Sequence, residues 1–129
     1  MNQVLPLELS GKVIHGAGRG RTLGFPTANL DTQLPADLPL GIYAGWVWIT
    51  NHSTRRPVVI YWGQRPTFGE QTTDCEVFLI DATENLDVAE LQGKLTSFIR
   101  ADKRYDSPSD LIKQMHQDVA EARQRLGLP

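Results

Sequence analysis

The segment richest in chemical possibilities runs from Gly11 to Asn29 and reads GKVIHGAGRGRTLGFPTAN. Its middle clusters four glycines and two arginines, namely Gly16, Gly18, Arg19, Gly20, Arg21 and Gly24. Glycine lets a backbone approach a ligand closely, and successive N–H groups in such loops form concavities that bind anions. Because the arginines add positive charge, the segment is a candidate phosphate-binding loop. It lacks the Gly-Lys-Ser/Thr ending of P-loop NTPases, and no helical pattern follows it. On these residues alone, an ordinary surface loop is an equal alternative.

The elements that must hold this segment are mostly strands, because apolar runs of strand length recur along the chain. They predict strands over Leu7–Ile14, Gly41–Thr50, Pro57–Trp62, Asp74–Asp81 and Leu91–Ile99. Turn-like segments join these runs, with Asn51–Ser53 as a turn and Gly63–Gly69 as a loop. Short strands at this spacing favour an antiparallel sheet or a small barrel.

A helix is predicted at the end of the chain. Ser107 has the side chain of a helix N-cap, Pro108 suits the first helical position, and Asp110 adds an acidic residue to the first turn. Apolar residues then repeat at helical spacing and form one stripe: Leu111, Ile112, Met115, Val119, Ala122 and Leu126. Gly127 and Pro129 end the pattern. We expect this helix to pack against the sheet or to close one end of a barrel, in a structural role without chemistry.

Composition limits the classes of function. A chain of 129 residues fits one domain, residues 1–129, and a net charge of −2 gives no electrostatic case for nucleic acid. The lone cysteine, Cys75, excludes an internal disulfide and suits a reducing compartment. No run approaches the roughly 20 apolar residues that span a bilayer, and the N-terminus has no signal-peptide pattern. We therefore expect a monomeric, cytoplasmic protein whose partners are small molecules, with no nucleic acid and no membrane.

The sequence resembles the riboflavin kinase family along nearly its whole length, from Leu9 to Leu126. The most specific stretch combines Gly-x-Val-x-x-Gly-x-Gly-Arg-Gly, which begins at Gly11, with LGFPTAN over residues 23–29. Later segments continue the resemblance: LPAD over 34–37, GIYAG over 41–45, GQRPTF over 63–68, CEV over 75–77, and IR, K and YDS between residues 99 and 107.

The resemblance implies a mainly β fold, a six-stranded Greek-key antiparallel barrel with a C-terminal α-helix. It also implies a riboflavin kinase, which transfers the γ-phosphate of ATP to the 5′-hydroxyl of riboflavin to give FMN and ADP, with Mg²⁺ or another divalent cation. Both substrates would bind on the barrel under two mobile loops, the glycine-rich one and a second one around Arg100–Tyr105. The first loop and Thr27 would bind the nucleotide phosphates, and the flavin-binding residues would be Arg100, Lys103 and Tyr105.

The resemblance also implies catalytic roles: Thr27 and Asn29 would coordinate the metal, and Glu76 would take the proton from the ribityl 5′-hydroxyl. Elementary chemistry agrees with the metal ligands, because residues two apart on an extended segment face the same way and magnesium needs only one or two protein oxygens. Glu76 is a carboxylate in the apolar run CEVFLI, on the same side as Phe78 and Ile80. The alternatives are a turn cap for Asn29, a strand position for Thr27 and a partly solvated strand glutamate for Glu76.

The chain departs from the family pattern mainly at positions expected near the flavin. Tyr61-Trp62-Gly63 stands where Asn-Ile-Gly is frequent, Asp87-Val88 replaces an aromatic-Gly pair, and Arg100-Ala101-Asp102-Lys103 replaces Arg-Pro-Glu-Lys. These departures motivate an alternative function, a non-catalytic flavin- or nucleotide-binding module or a partner subunit of a flavin-biosynthesis enzyme. The chain has no room for the adenylyltransferase domain of bifunctional FAD synthetases. We therefore expect the reaction to stop at FMN, with a separate FAD-forming adenylyltransferase as a candidate partner.

Overall fold

A computed structural model describes residues 5–14, 27–50, 54–67, 70–81 and 90–129 of the chain. Within these residues the elements, in order, are β1 (Leu7–Ile14), β2 (Thr27–Asp31), β3 (Gly41–Ile49), β4 (Arg55–Thr67), β5 (Glu70–Leu79), β6 (Glu90–Ala101) and α1 (Pro108–Arg125). The predicted turn at Asn51–Ser53 and the predicted glycine-rich loop between Ile14 and Thr27 lie outside the described residues.

The strands close into a barrel in the spatial order β1-β2-β5-β4-β3-β6, and every neighbouring pair is antiparallel. The successive strands β3, β4 and β5 lie side by side, and β6 returns to the other side of β3, which is a Greek-key arrangement. Because the barrel is closed, each strand has a hydrogen-bonded neighbour on both sides. The predicted fold, a six-stranded antiparallel barrel with a C-terminal helix, is confirmed.

Two apolar clusters share the strands of the barrel, because successive side chains of a strand face opposite sides of the sheet. The cluster inside the barrel consists of Leu9, Ala28, Leu30, Leu38, Tyr43, Val47, Val58, Ile60, Trp62, Cys75, Val77, Leu79, Leu91 and Leu95. Ile42 and Ala44, which flank Tyr43 on β3, belong instead to a cluster on the outer face of the barrel. The run GIYAGWVWI is therefore apolar on both sides because both sides of β3 are covered.

The prediction of a loop over Gly63–Gly69 is wrong for most of these residues. Strand β4 continues to Thr67, and β5 begins at Glu70. The pairing of the two strands keeps one register from Val58 opposite Leu79 to Thr67 opposite Glu70. Glycine and proline are unfavourable in strands, but a long antiparallel partner can override that local preference.

The helix begins and ends as predicted and lies on the outer face of the barrel. The Ser107 hydroxyl accepts a hydrogen bond of 3.2 Å from the Asp110 N–H, and Pro108 is the first helical residue. Gly127, with φ at +73°, has the left-handed conformation that commonly follows a helix. Residues of the predicted stripe, among them Val119 and Ala122, pack against the outer apolar cluster. No helix in the described part of the chain has the length and apolarity needed to cross a membrane.

Candidate active site

Side chains on the outer face of the barrel form a row across the five neighbouring strands β6, β3, β4, β5 and β2. The register pairs Arg100 with Ile42, Ile42 with Tyr61, Tyr61 with Glu76, and Glu76 with Asn29. Directly opposite residues face the same side of a sheet with their Cβ atoms about 5 Å apart. The row therefore places the Glu76 carboxylate between an aromatic side chain and an amide.

Glu76 is a buried carboxylate, with 4% of its surface exposed. The hydroxyl of Thr27, which is also buried, donates a hydrogen bond of 3.0 Å to Glu76 Oε1. The antiparallel register of β2 and β5 makes this contact possible, because Thr27 lies opposite Phe78 and Asn29 opposite Glu76. Burying a polar group without hydrogen bonds is costly, and more so for a charge. The Thr27 hydroxyl offsets part of this cost and orients the carboxylate.

The neutral oxygens beside Glu76 are candidate cation ligands. Thr27 and Asn29 lie two positions apart on β2 and share one face of the strand. Asn29 Oδ1 is buried and has no hydrogen-bond partner among the described residues. Because buried polar atoms in folded proteins are nearly always bonded, this oxygen is suited to a ligand outside the chain. No group of three or more His, Cys, Asp and Glu side chains in the described ranges could hold a metal ion. Thr27 and Asn29 thus offer a cation two neutral oxygens beside the Glu76 carboxylate.

A pocket, here called the outer pocket, lies between the outer face of the barrel and helix α1. Its apolar lining comes from both layers and consists of Ile42, Val59, Phe78, Leu111, Met115 and Val119. Its polar lining consists of Thr27, Tyr61, Glu76, Arg100, Asp102, Lys103, Tyr105 and Asp118. Apolar walls with a small number of placed polar groups are typical of sites for small organic ligands.

Arg100 and Asp118 tie the end of β6 to the helix. Arg100 Nε and Nη2 donate to the two carboxylate oxygens of Asp118 at 2.8 and 2.7 Å, and Gln114 donates to the same carboxylate at 3.0 Å. Asp118 is buried, with 3% of its surface exposed. Burial alone would lower the pKa of the Arg100 guanidinium, but hydrogen bonding and charge attraction from Asp118 leave that pKa above its ordinary value. Arg100 is therefore a permanent cation that closes one wall of the outer pocket.

Lys103 and Tyr105 lie on the segment that joins β6 to α1. Arg100 Cζ and Lys103 Nζ lie 5.7 and 5.6 Å from the centre of the Tyr105 ring, within the range of cation–π attraction. The Tyr105 hydroxyl oxygen is buried without a hydrogen-bond partner in the described part of the chain. Burial raises the pKa of this hydroxyl, while the Arg100 charge acts in the opposite direction. Tyr105 therefore remains a protonated donor at neutral pH.

The predicted site residues that the structure describes lie close together. Those that line the outer pocket are Thr27, Glu76, Arg100, Lys103 and Tyr105. Asn29 is the cross-strand neighbour of Glu76. The residues of the predicted phosphate loop, Gly16, Gly18, Arg19, Gly20, Arg21 and Gly24, lie outside the described residues. The arrangement brings Thr27, the predicted base and the predicted flavin contacts to one pocket, with Asn29 beside the base, and their individual roles stay predictions.

Sequence reasoning assigned no site role to three polar pocket residues, Tyr61, Asp102 and Asp118, and missed the contribution of the helix. The helix was expected to have a purely structural role, yet Leu111 and Met115 line the pocket together with Asp118. A signal for Asp118 was present, because it falls on the apolar stripe between Met115 and Ala122, where an unpaired carboxylate is unfavourable. Tyr61 and Asp102 also carried a signal, because both lie in stretches that depart from the family pattern at positions expected near the flavin.

The fold and the site define a class of protein: a closed barrel with a packed helix and, between them, a pocket of the kind that suits a small organic molecule, lined by a buried carboxylate. Comparison with known proteins identifies the family. The chain belongs to the riboflavin kinase family, because the family model described as Flavokinase: Riboflavin kinase matches residues 4–126. The riboflavin kinase of Homo sapiens is 34% identical over 131 residues, and the match covers 97% of this chain and 84% of the human protein. The resemblance read from the motifs is confirmed.

Solved structures agree on the fold. The riboflavin kinase of Trypanosoma brucei aligns with a TM-score of 0.65 and 23% identity, covering 95% of this chain and 78% of that one. A structure from Streptococcus pneumoniae, described as a macrolide-efflux protein, aligns with a TM-score of 0.77 and 28% identity. That match covers 92% of this chain and 38% of the Streptococcus pneumoniae chain, so the shared fold is one part of a longer protein.

Proposed function

We infer that this protein is an ATP:riboflavin 5′-phosphotransferase, which transfers the γ-phosphate of ATP to the 5′-hydroxyl of riboflavin and releases FMN and ADP. The observation that carries the inference is the buried Glu76 carboxylate, which lines an apolar pocket beside the oxygens of Thr27 and Asn29. An apolar pocket suits a flavin ring, and a carboxylate suits an alcohol that must lose a proton. A binding module without activity has no use for a base in the pocket, and family membership favours the kinase.

Glu76 is the proposed general base. Phosphoryl transfer depends mainly on positioning and charge stabilisation, and a base adds a factor of about 10² to 10⁴. The 5′-hydroxyl gives its proton to the Glu76 carboxylate as its oxygen bonds to the γ-phosphorus, and the bond between that phosphorus and ADP breaks. The Thr27 hydroxyl, which donates to Glu76 Oε1, keeps the carboxylate oriented for this step.

Thr27 and Asn29 are the proposed ligands of a divalent cation, with Mg²⁺ as the first candidate. The buried Asn29 oxygen, which no described residue bonds, and the nearby Thr27 hydroxyl fit a small hard cation that keeps water and phosphate as its remaining ligands. When bound, such a cation neutralises and orients the phosphate oxygens of the nucleotide.

The glycine-rich loop is the proposed site of the nucleotide phosphates, through Gly16, Gly18, Arg19, Gly20, Arg21 and Gly24. The strands on either side of this loop support the proposal. Ile14, which precedes the loop, pairs with Asn29, and Thr27 follows the loop as the first residue of β2. Both ends of the loop therefore lie beside the proposed metal ligands, where the phosphates must also lie.

Arg100, Lys103 and Tyr105 are the proposed flavin contacts. Tyr105 offers an aromatic ring and a buried hydroxyl that no described residue bonds, so it can contact a heteroaromatic ligand with both. Arg100 already donates to both oxygens of Asp118, and its main contribution is to hold the pocket wall in place. Lys103 is more exposed and adds positive charge near the ring of Tyr105.

Incubation of the purified protein with riboflavin and MgATP tests the proposed function. Separation of riboflavin, FMN and FAD by fluorescence chromatography should show FMN and no FAD, with one ADP formed for each FMN. Omission of ATP is the matched control. Riboflavin that stays unchanged in spite of measurable binding would instead establish a binding module.

A magnesium titration of nucleotide binding tests the cation site. Asn29→Ala should weaken metal-dependent ATP binding, while riboflavin binding without ATP stays within about twofold, because the substitution removes one neutral oxygen ligand. Thr32→Ala is the control, since it also removes a neutral oxygen, one that donates to the Ser10 carbonyl at 2.7 Å and does not line the outer pocket. Equal magnesium dependence in both variants would refute the assignment of Asn29.

We also propose that the protein acts in the cytoplasm as a monomer and passes FMN to a separate adenylyltransferase. The lone cysteine fits a reducing compartment, and the inferred reaction ends at FMN. FAD should appear in the assay only when an FMN adenylyltransferase is added. In sedimentation the protein should behave as a particle of 14.4 kDa.

A further inference from the structure

A hydrogen bond joins strand β4 to the segment that follows β6. The Tyr61 hydroxyl donates to Asp102 Oδ2 at 3.0 Å, across 41 positions of the chain. The other carboxylate oxygen of Asp102 accepts from the Lys103 N–H at 2.9 Å. Asp102 is thus bonded on one side to its own segment and on the other to the barrel. This contact therefore ties residues 102–105 to β4, while Ala101 is the last residue of β6 and pairs with Gly41 of β3.

The direction of the Tyr61 side chain depends on Gly63, which lies two positions further along β4 and on the same face. A methyl group added to Gly63 would overlap the Tyr61 hydroxyl and ring. The ring therefore lies over the backbone of Gly63, in space that any other residue would occupy. Because glycine leaves this space open, the hydroxyl can reach Asp102.

Tyr61 lies at the centre of the site, between the proposed base and the proposed flavin contacts. It is directly opposite Glu76 on β5 and directly opposite Ile42 on β3. It lines the outer pocket together with Asp102, Lys103 and Tyr105, all of which belong to the segment that its hydroxyl holds. The Tyr61–Asp102 hydrogen bond thus connects the barrel wall of the pocket with its rim.

We propose that Tyr61 is a positioning residue for riboflavin, acting through Asp102 to hold residues 102–105, part of the loop that the family resemblance predicts to be mobile, as a preformed wall of the flavin pocket. This inference rests on the proposed function and adds to it a residue that determines flavin affinity. The segment lies between two regular elements and contributes three lining residues, so any movement of it changes the pocket. A wall that is ordered before binding lowers the entropy cost of binding, which is why the effect should appear in flavin affinity and not in the chemical step.

Steady-state kinetics of Tyr61→Phe test the proposal. Removal of the hydroxyl should raise the KM for riboflavin roughly three- to tenfold, the amount expected for one solvent-exposed hydrogen bond, with kcat and the KM for ATP within about twofold. Asp102→Ala should have a similar effect. The double variant should be no worse than the more affected single variant, because both changes break the same bond. Tyr43→Phe is the matched control, since its hydroxyl donates to the Pro39 carbonyl at 2.6 Å and does not line the outer pocket.

Gly63→Ala provides an independent test, because it displaces the Tyr61 ring and leaves the hydroxyl in the chain. In the otherwise unchanged protein, Gly63→Ala should raise the KM for riboflavin. In a protein that already carries Tyr61→Ala, Gly63→Ala should not raise that KM further. A KM for riboflavin that is unchanged or lower in Tyr61→Phe would overturn the proposal, since the bond would then be irrelevant to binding or would oppose it. Additive effects of Tyr61→Phe and Asp102→Ala would overturn it as well.

Riboflavin binding without ATP separates this inference from the proposed function. Quenching of riboflavin fluorescence by the protein measures affinity directly, and Tyr61→Phe should weaken it by the same roughly three- to tenfold factor. If the unchanged protein binds riboflavin but forms no FMN, the kinase assignment fails, and the binding measurement still decides the role of Tyr61. If the variant binds riboflavin as well as the unchanged protein, the positioning role fails while the kinase assignment stands.

Discussion

The inside of the barrel and the layer beneath the helix are both buried, yet they differ in chemistry. The inner cluster in the described part of the chain contains apolar side chains together with Tyr43 and Cys75. The buried polar residues Thr27, Glu76 and Asp118 all lie in the outer layer instead. Strand β5 serves both regions, with Cys75 and Val77 facing inward and Glu76 facing outward. One strand thus contributes alternate residues to stability and to chemistry.

The difference has a physical reason. A buried charge or hydroxyl is unfavourable unless hydrogen bonds or opposite charges compensate it. The inner core avoids that cost and stabilises the barrel through apolar burial. The outer layer contains groups that must be buried to bind or react, and it holds them with specific partners, such as Arg100 for Asp118 and Thr27 for Glu76. We therefore expect substitutions in the two regions to separate into effects on stability and effects on turnover.

The largest expected effect is that of Glu76→Gln on turnover. The amide cannot accept a proton, so kcat should fall by roughly 10² or more, while ligand affinities change only a few-fold. The fold should survive, because the amide oxygen can still accept from Thr27 and glutamine is nearly isosteric. Rapid-quench or steady-state FMN formation measures the effect. Glu8→Gln, at an exposed carboxylate on β1, is the control and should retain full activity. Near-normal turnover of Glu76→Gln would contradict the assignment of the base.

The second largest effect is expected for Asp118→Asn, which should lower both the stability of the protein and its affinity for riboflavin. Loss of the charge leaves the Arg100 guanidinium beside a neutral amide and should lower the free energy of unfolding by about 3 kcal/mol. The KM for riboflavin should rise, because Arg100 and Asp118 form one wall of the pocket. Urea unfolding and steady-state kinetics measure the two effects.

Glu121→Gln is the matched control for Asp118→Asn. Glu121 pairs with Arg125 at 3.3 Å on the same helix, and both side chains are more than a third exposed. Loss of this ion pair should lower the free energy of unfolding by less than about 0.5 kcal/mol, as expected for an exposed ion pair. The KM for riboflavin should stay unchanged. Equal destabilisation by the two substitutions would show that burial of the Asp118 pair has no special importance.

Val77→Ala should affect stability and spare turnover, in contrast to its chain neighbour Glu76. Val77 is fully buried inside the barrel, and loss of two methyl groups should lower the free energy of unfolding by about 2 kcal/mol. Activity per folded molecule should stay within about threefold at a temperature below the unfolding transition. A loss of turnover as large as that of Glu76→Gln would mean that the two faces of β5 are not independent.

The expected effect that is smallest at neutral pH is a change in the stability of the protein at alkaline pH. Burial, helped by the nearby charges of Glu76 and Asp74, raises the pKa of the Cys75 thiol from 9.0 to about 12. Below pH 9 the thiol is protonated in both the native and the unfolded chain. Between pH 9 and 12 the unfolded chain loses the proton and the native chain keeps it, so the free energy of unfolding falls as the pH rises.

Cys75→Ala should make this decline shallower between pH 9 and 12, as measured by urea unfolding at several pH values. Tyr43, whose pKa burial raises from 10.0 to about 12, still contributes to the remaining slope. The native thiol should also resist a thiol reagent at pH 8 and react once the protein is unfolded. Identical slopes for the two proteins would contradict the burial of Cys75.

The elements of the fold were largely predictable because their signals are local. The cap at Ser107, Pro108 and the apolar stripe define α1 within one stretch of chain, and β1 was predicted at the same bounds that the structure shows, Leu7–Ile14. The error at Gly63–Gly69 has the opposite cause. Its glycines and proline indicate a loop locally, but pairing with β5 extends β4 to Thr67. Local preference fails where a distant strand supplies the compensating hydrogen bonds.

The candidate site was predictable only where motifs identified it. Thr27, Asn29 and Glu76 were assigned from family motifs, and the register of β2 and β5 brings them together. Nothing in the sequence linked Tyr61 to Asp102 or Arg100 to Asp118, which meet only because of how the barrel closes and where α1 packs.

The amino-acid sequence alone specified the helix, five of the six strands, the family and the residue types available for catalysis, because these follow from short-range periodicity and contiguous motifs; β2, at Thr27–Asp31, was not predicted as a strand. The tertiary structure decided which carboxylates are buried, which hydroxyl each one meets and which face of the helix lines the pocket. Thr27 and Glu76 are 49 positions apart, and strand register determines their contact. Strand register is a property of paired strands and not of either strand alone, so it becomes definite only when the barrel closes.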